Sequence, residues 1–157
     1  MNTGQSPSPD GEVLLVVQGV CIDNTHEGIV AFDVPLGGAS QQLLSIRAGF
    51  GTPRWTPDGA AIAYWAEIDY DSDGDGMNDI YGPTLLLADL ASGMQYALLA
   101  PTLEQYIWDF TMSPDGTRYV VCVNHGGVLD LLLVDYSGAE GTTRWLTDDG
   151  VSCKPSW

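Results

Sequence analysis

The chain has 157 residues, 45% of them hydrophobic, and 21 acidic residues against five Lys and Arg, for a formal net charge of -16. That length and apolar content suit one globular domain able to bury roughly 70% of its unfolded surface, and they exclude a disordered chain. A single Lys154 and four arginines (Arg47, Arg54, Arg118, Arg144) cannot follow a phosphate backbone, so nucleic acid and anionic membrane surfaces are excluded as partners.

No apolar run is long enough to span a bilayer, and no membrane insertion is expected; residues 1–5 lack the basic start and apolar middle of a signal peptide. In chain order, Pro9-Asp10-Gly11 precedes a strand-like run Val13–Val17, a second run Gly28–Val34 and a more polar third run Gln42–Ile46. A short run Thr52–Trp55 then leads to Pro57-Asp58-Gly59. The sequence starts again there, with Ala61–Trp65, Thr84–Leu90, Gln95–Leu99 and Trp108–Met112. After Pro114-Asp115-Gly116 come Tyr119–Val123, Leu131–Tyr136, Thr143–Thr147 and Lys154–Trp157. Asp33, Asp89 and Asp135 close each second run and read as turn formers, because Asp side chains bond nearby backbone amides.

Pro9 and Pro57 lie 48 residues apart and Pro57 and Pro114 lie 57 apart, so the middle unit carries an insertion. Four short strands in each repeat of this size predict an all-β fold of β-propeller blades, three per chain. Residues 1–157 form a single repeat domain, with blades at about 8–55, 56–112 and 113–157. An immunoglobulin-like sandwich is the competing all-β reading. It does not explain why the same turn chemistry returns at matching points.

The stretches Pro53-Arg54-Trp55-Thr56-Pro57-Asp58-Gly59 and Met112-Ser113-Pro114-Asp115-Gly116 resemble the TolB-type propeller repeat (WD40-like) over essentially the whole chain. The resemblance implies a scaffold of the kind found in periplasmic or extracellular binding proteins and in the non-catalytic propellers of prolyl-oligopeptidase-like enzymes, with six or more blades. Three blades cannot close a ring, and an open row exposes sheet edges. A homodimer in which Lys154–Trp157 completes the first blade of the partner would make a six-bladed ring; the alternatives are a fragment, or further blades on another chain. In that ring Cys153 approaches Cys21 of the partner, near enough for an inter-chain disulfide, although two unrelated small residues is the plainer reading. Cys122, inside an apolar run, reads as a buried free thiol. The three cysteines have no zinc-ligand spacing.

The insertion carries Asp69, Asp71, Asp73, Asp75 and Asp79. At an effective dielectric of about 20, two charges 6 Å apart repel by roughly 3 kcal/mol, a cost that a hard divalent cation removes. Counted from Asp71, the spacing matches a calcium loop: Asp71, Asp73 and Asp75 at positions 1, 3 and 5, Gly76 at the turn, the Met77 carbonyl at 7 and Asp79 at 9. Position 12 is Gly82 rather than Glu, which leaves Asp69 or Glu67 to supply the last oxygen. A solvated acidic loop without an ion is the plainer alternative.

His26 and His125 come without a nucleophile motif, so no catalytic residue is expected and the chain reads as a non-enzyme. Arg54, Trp55, Trp108 and Trp157 fall on or near the short runs that would line a central ligand channel. Packing between blades is the competing role for the tryptophans. The function these features imply is a binding or assembly module, extracellular or periplasmic, with a structural calcium. The alternative is the accessory propeller of a larger prolyl-oligopeptidase-like or other hydrolase.

Overall fold

A computed structural model describes residues 5–18, 28–33, 40–45, 52–70, 75–77, 80–99, 105–136 and 141–157. Its described strands form three four-stranded antiparallel meanders. The first sheet contains β1 (Gln5–Pro7), β2 (Val13–Gln18), β3 (Gly28–Asp33) and β4 (Ser40–Ser45). The second contains β5 (Arg54–Trp55), β6 (Ala61–Tyr70), β7 (Ile80–Asp89) and β8 (Gln95–Leu99), and the third β9 (Gln105–Met112), β10 (Arg118–His125), β11 (Val128–Asp135) and β12 (Thr142–Trp145).

Each sheet starts at a turn that the Pro-Asp-Gly sequence builds. In the third sheet the Ser113 hydroxyl hydrogen-bonds the Asp115 carboxylate and accepts the Arg118 amide at 2.9 Å, while Asp115 accepts the Thr117 amide at 3.1 Å. The Gly116 amide donates to the Ser113 carbonyl at 2.9 Å, with Gly116 at φ 75°, a conformation that costs glycine nothing. Ser8 with Asp10, and Thr56 with Asp58, repeat these bonds. The turn therefore joins the first strand of each sheet to the second. Sheet membership differs here from units drawn at 55 and 112: Arg54–Trp55 pairs with Ala63 and Ile62 of the second sheet, and Gln105–Met112 belongs to the third.

Strand β6 is buried on both faces. Ile62, Tyr64 and Ala66 pack with Leu15 and Ile29 of the first sheet, while Ala63 joins Phe110, Tyr119, Val121 and Val123 of the third, with Trp65 packed alongside. Each fully buried large side chain in these clusters contributes about 1.5–3 kcal/mol of transfer free energy. The outermost strand of the third sheet, β12, is exposed throughout.

Three register shifts refine this plan. In β4 and β8 the shifts fall at Leu43 and Leu98, and both side chains turn into the clusters between sheets. In β9, Cys122 pairs with Asp109 and Val123 with Ile107, which leaves Trp108 as the extra residue of a bulge. The bulge lets Ile107 and Phe110, three apart, both face the core.

Candidate functional site

Of the residues expected to line a channel, Arg54 and Trp55 lie on β5, Trp108 on β9 and Trp157 beyond β12, and the structure divides them. Arg54 and Trp55 are links between sheets. The Trp55 indole Nε1 donates to the Ser6 carbonyl at 3.3 Å, reaching the first sheet. Arg54 turns the other way, donating from Nε to the Phe110 carbonyl at 3.0 Å, with its guanidinium 5.7 Å from the Phe110 ring centroid and 3.9 Å from Asp109. Packing between blades, the alternative weighed for the tryptophans, describes Trp55.

Trp108 is different. Its place in the bulge turns its ring out, 62% exposed, beside Tyr106 at 59%. Together with Trp65, Ile107 and Asn124 these two line an open cavity of 580 Å³ between the second and third sheets. The Trp65 indole nitrogen is shut off from solvent and finds no hydrogen-bond partner among the described residues. Trp157 lies elsewhere, half exposed, with the Arg118 guanidinium 5.4 Å from its ring.

The C-terminal segment corrects two expectations about the cysteines. Cys122 and Cys153 form a disulfide within the chain, their Cα atoms 5.2 Å apart, so Cys122 is not a free thiol and Cys153 is not held for Cys21 of a partner. Cys21 lies outside the described residues. The reason is the path after β12: the chain crosses back over the third sheet through a turn organised by a buried carboxylate, Asp130. Its Oδ1 accepts from the Thr147 hydroxyl and from the Asp149 and Gly150 amides at 2.9–3.2 Å. Its Oδ2 faces His125 Nε2 at 3.2 Å, and the His125 ring stacks on Trp145 with centroids 4.7 Å apart. Burial alone would raise the Asp130 pKa, but these hydrogen bonds outweigh it and hold the group below 3.8. His125 is thus part of a structural clamp, and His26 lies outside the described residues. A second correction concerns the strand exchanged between copies: Gln5–Pro7 already pairs with Leu14–Val16, in the place proposed for a partner's Lys154–Trp157.

Of the acidic insertion, Asp75 and Met77 are described in full, Asp69 only by its backbone, and Asp71, Asp73 and Asp79 lie outside the described residues. Strands β6 and β7 pair without interruption from Ala61↔Asp89 to Tyr70↔Ile80, so the ends of the insertion extend one long hairpin, with Asp75–Met77 described at its tip. At that tip the Asp75 carboxylate accepts the Met77 amide at 2.7 Å, and Gly76 adopts φ 87°. A glycine in this conformation suits the turn position of a calcium loop. Among the described residues no group of three or more His, Cys, Asp or Glu converges as a metal site, and no helix is long and apolar enough to cross a membrane. Asp89 behaves as its recurrence implies, accepting the Ser92 amide and hydroxyl at 2.7 and 2.6 Å.

No protein-family model and no curated protein matches the chain. Solved structures do. TolB from Acinetobacter baumannii superposes with a TM-score of 0.69 at 17% identity over 94% of this chain and 33% of that one. A structure from an analysis of two prolyl endopeptidases gives 0.66 at 20% identity over 94% and 22%, and a puromycin-hydrolyzing peptidase of Mycobacterium tuberculosis gives 0.63 at 16% over 92% and 23%. These likenesses show a TolB-like β-propeller fold. The chain spans between about a fifth and a third of the length of these three proteins.

Proposed function

We infer that the protein is a non-catalytic β-propeller module for binding and assembly, whose ring is completed by further blades, those of a second copy of the chain. One observation carries this. The Pro-Asp-Gly turns stack from sheet to sheet: a Cβ on Gly59 would meet Pro9 Cδ at 3.7 Å, and one on Gly116 would meet Pro57 Cδ at 3.0 Å. At Gly11 the same position meets nothing described within 4 Å, and Pro114 is exposed. A turn with one half of a repeated contact and no neighbour among the described residues suits another blade.

The acidic hairpin tip serves this module as a structural calcium loop, with Asp71, Asp73, Asp75, Asp79 and the Met77 carbonyl as ligands and Asp69 or Glu67 alongside. The Asp75–Gly76–Met77 turn supports the spacing. Calcium bound there orders the tip and raises stability by mass action. The Cys122–Cys153 disulfide supports an oxidising compartment, extracellular or periplasmic.

The likeness to a prolyl endopeptidase, of which this chain spans 22%, favours a second reading, the accessory propeller of a hydrolase. Native mass spectrometry of the chain at micromolar concentration, with and without calcium, tests the first. A species of twice the chain mass is expected, and a stable monomer overturns the ring. Calorimetry is expected to show heat on calcium addition and a melting temperature that falls with chelator; the absence of both effects overturns the calcium loop.

A further inference from the structure

The open cavity beside the bulge in β9 has a lining that specifies a ligand. Among the described residues it is lined by Trp65, Tyr106, Trp108, Ile107 and Asn124, three of them aromatic and none ionised. The Asn124 Oδ1 accepts the Gly127 amide at 3.1 Å, and its NH₂ is a donor.

A ligand for this site brings flat apolar faces, an acceptor for the Asn124 amide, and no negative charge against a net charge of -16. An extended proline-rich segment has these properties. Its proline rings pack on aromatic walls, its prolines have no N–H to satisfy, its carbonyls point outward, and its polyproline II form is largely preordered. Flanking Lys or Arg residues are drawn to the acidic field.

We propose that this aromatic cavity binds a proline-rich peptide segment flanked by basic residues. The proposal rests on the binding-module reading and does not need the ring to close. The test titrates the full chain with an arginine-flanked polyproline peptide, a Gly-Ser peptide of the same charge and cellohexaose, following tryptophan fluorescence and heat at low and high salt.

Saturable binding of the polyproline peptide alone is expected, weaker at high salt. Trp108→Ala is expected to weaken it by about tenfold or more, the loss typical of an aromatic anchor. Trp108→Phe retains most of the affinity; thermal melts of each variant confirm folding. Equal binding of the Gly-Ser peptide, binding of cellohexaose instead, or no saturable binding overturns the proposal. Mass measured on the same samples separates the two readings: a monomer that binds the peptide removes only the ring, and an assembled species that does not bind removes only the peptide site.

Discussion

Pro57 Cδ lies 3.0 Å from where a Cβ on Gly116 would stand, so the turn of one sheet is pressed against the turn of the next. Gly11 has the same φ of 75°, but nothing among the described residues lies within 4 Å of where its Cβ would stand. Gly11→Ala is therefore expected to cost only the left-handed strain, about 1–2 kcal/mol, whereas Gly116→Ala adds a clash worth about a further 1–3 kcal/mol. Urea unfolding of the two variants at equal dilution measures the difference, and equal losses would mean that the turns are not in contact.

The turn aspartates link stability to pH. Hydrogen bonds from Ser113 and Thr117 hold the Asp115 pKa at about 2, and Asp10 and Asp58 are lowered in the same way by Ser8 and Thr56. A depressed folded-state pKa stabilises above the unfolded value of 3.8, and the contribution is lost as pH falls towards about 2. Asp115→Asn is expected to be less stable than the parent at pH 7, with the gap closing across that window. Denaturation curves at stepped pH that keep a constant gap would remove this account.

Cys122 and Cys153 are 31 residues apart in sequence, and closing a loop of that size stabilises by about 3–4 kcal/mol in the chain-entropy treatment. Cys153→Ser is expected to lose most of this. Peptide mapping without reductant should recover Cys122 linked to Cys153. A Cys21–Cys153 peptide would restore the inter-chain bridge.

Arg54 holds Phe110 by a charged hydrogen bond and a ring contact but meets Asp109 only at 3.9 Å on a half-exposed edge. Arg54→Ala is expected to cost about 1.5–3 kcal/mol, and Asp109→Ala under about 1 kcal/mol. A double-mutant cycle between the two should give a coupling near zero; a large coupling would make the ion pair the main link.

The buried Tyr119 hydroxyl has no hydrogen-bond partner among the described residues, and burial first, then Tyr136 and Asp58, pushes its pKa up to about 12. Tyr119→Phe keeps the ring and removes an unpaired polar group. It is expected to raise the melting temperature by a few degrees, equivalent to about 1 kcal/mol. A fall would reveal a hidden partner.

The blade pattern was legible because its turn is local. Ser or Thr, Pro, Asp and Gly complete their own hydrogen bonds within a few residues, so the motif needs no distant partner to be read. The bulge at Trp108 was not legible, since Ile107 and Phe110 break the alternation that marks a strand, and only pairing with Cys122 and Val123 shows why. Nor was the cysteine pairing, which depends on the chain folding back after Trp145. One signal was available: Asp130 stands alone in the apolar run Val128–Val134, and a buried carboxylate there implies donors brought from elsewhere in the chain. Position alone placed Arg54 and Trp55 on inner strands, but not the direction of their side chains.

The disulfide also sets how the molecule carries mechanical load. A pull on the chain beyond Cys153 passes through sulfur to Cys122, at the middle of the third sheet, and bypasses the Asp130 turn and the strands Val128–Asp135 and Thr142–Trp145. Tension is then borne by the two ladders flanking Arg118–His125 rather than by the exposed outer strand, which would otherwise peel first. Reduction would move the point of attack from the centre of the sheet to its edge.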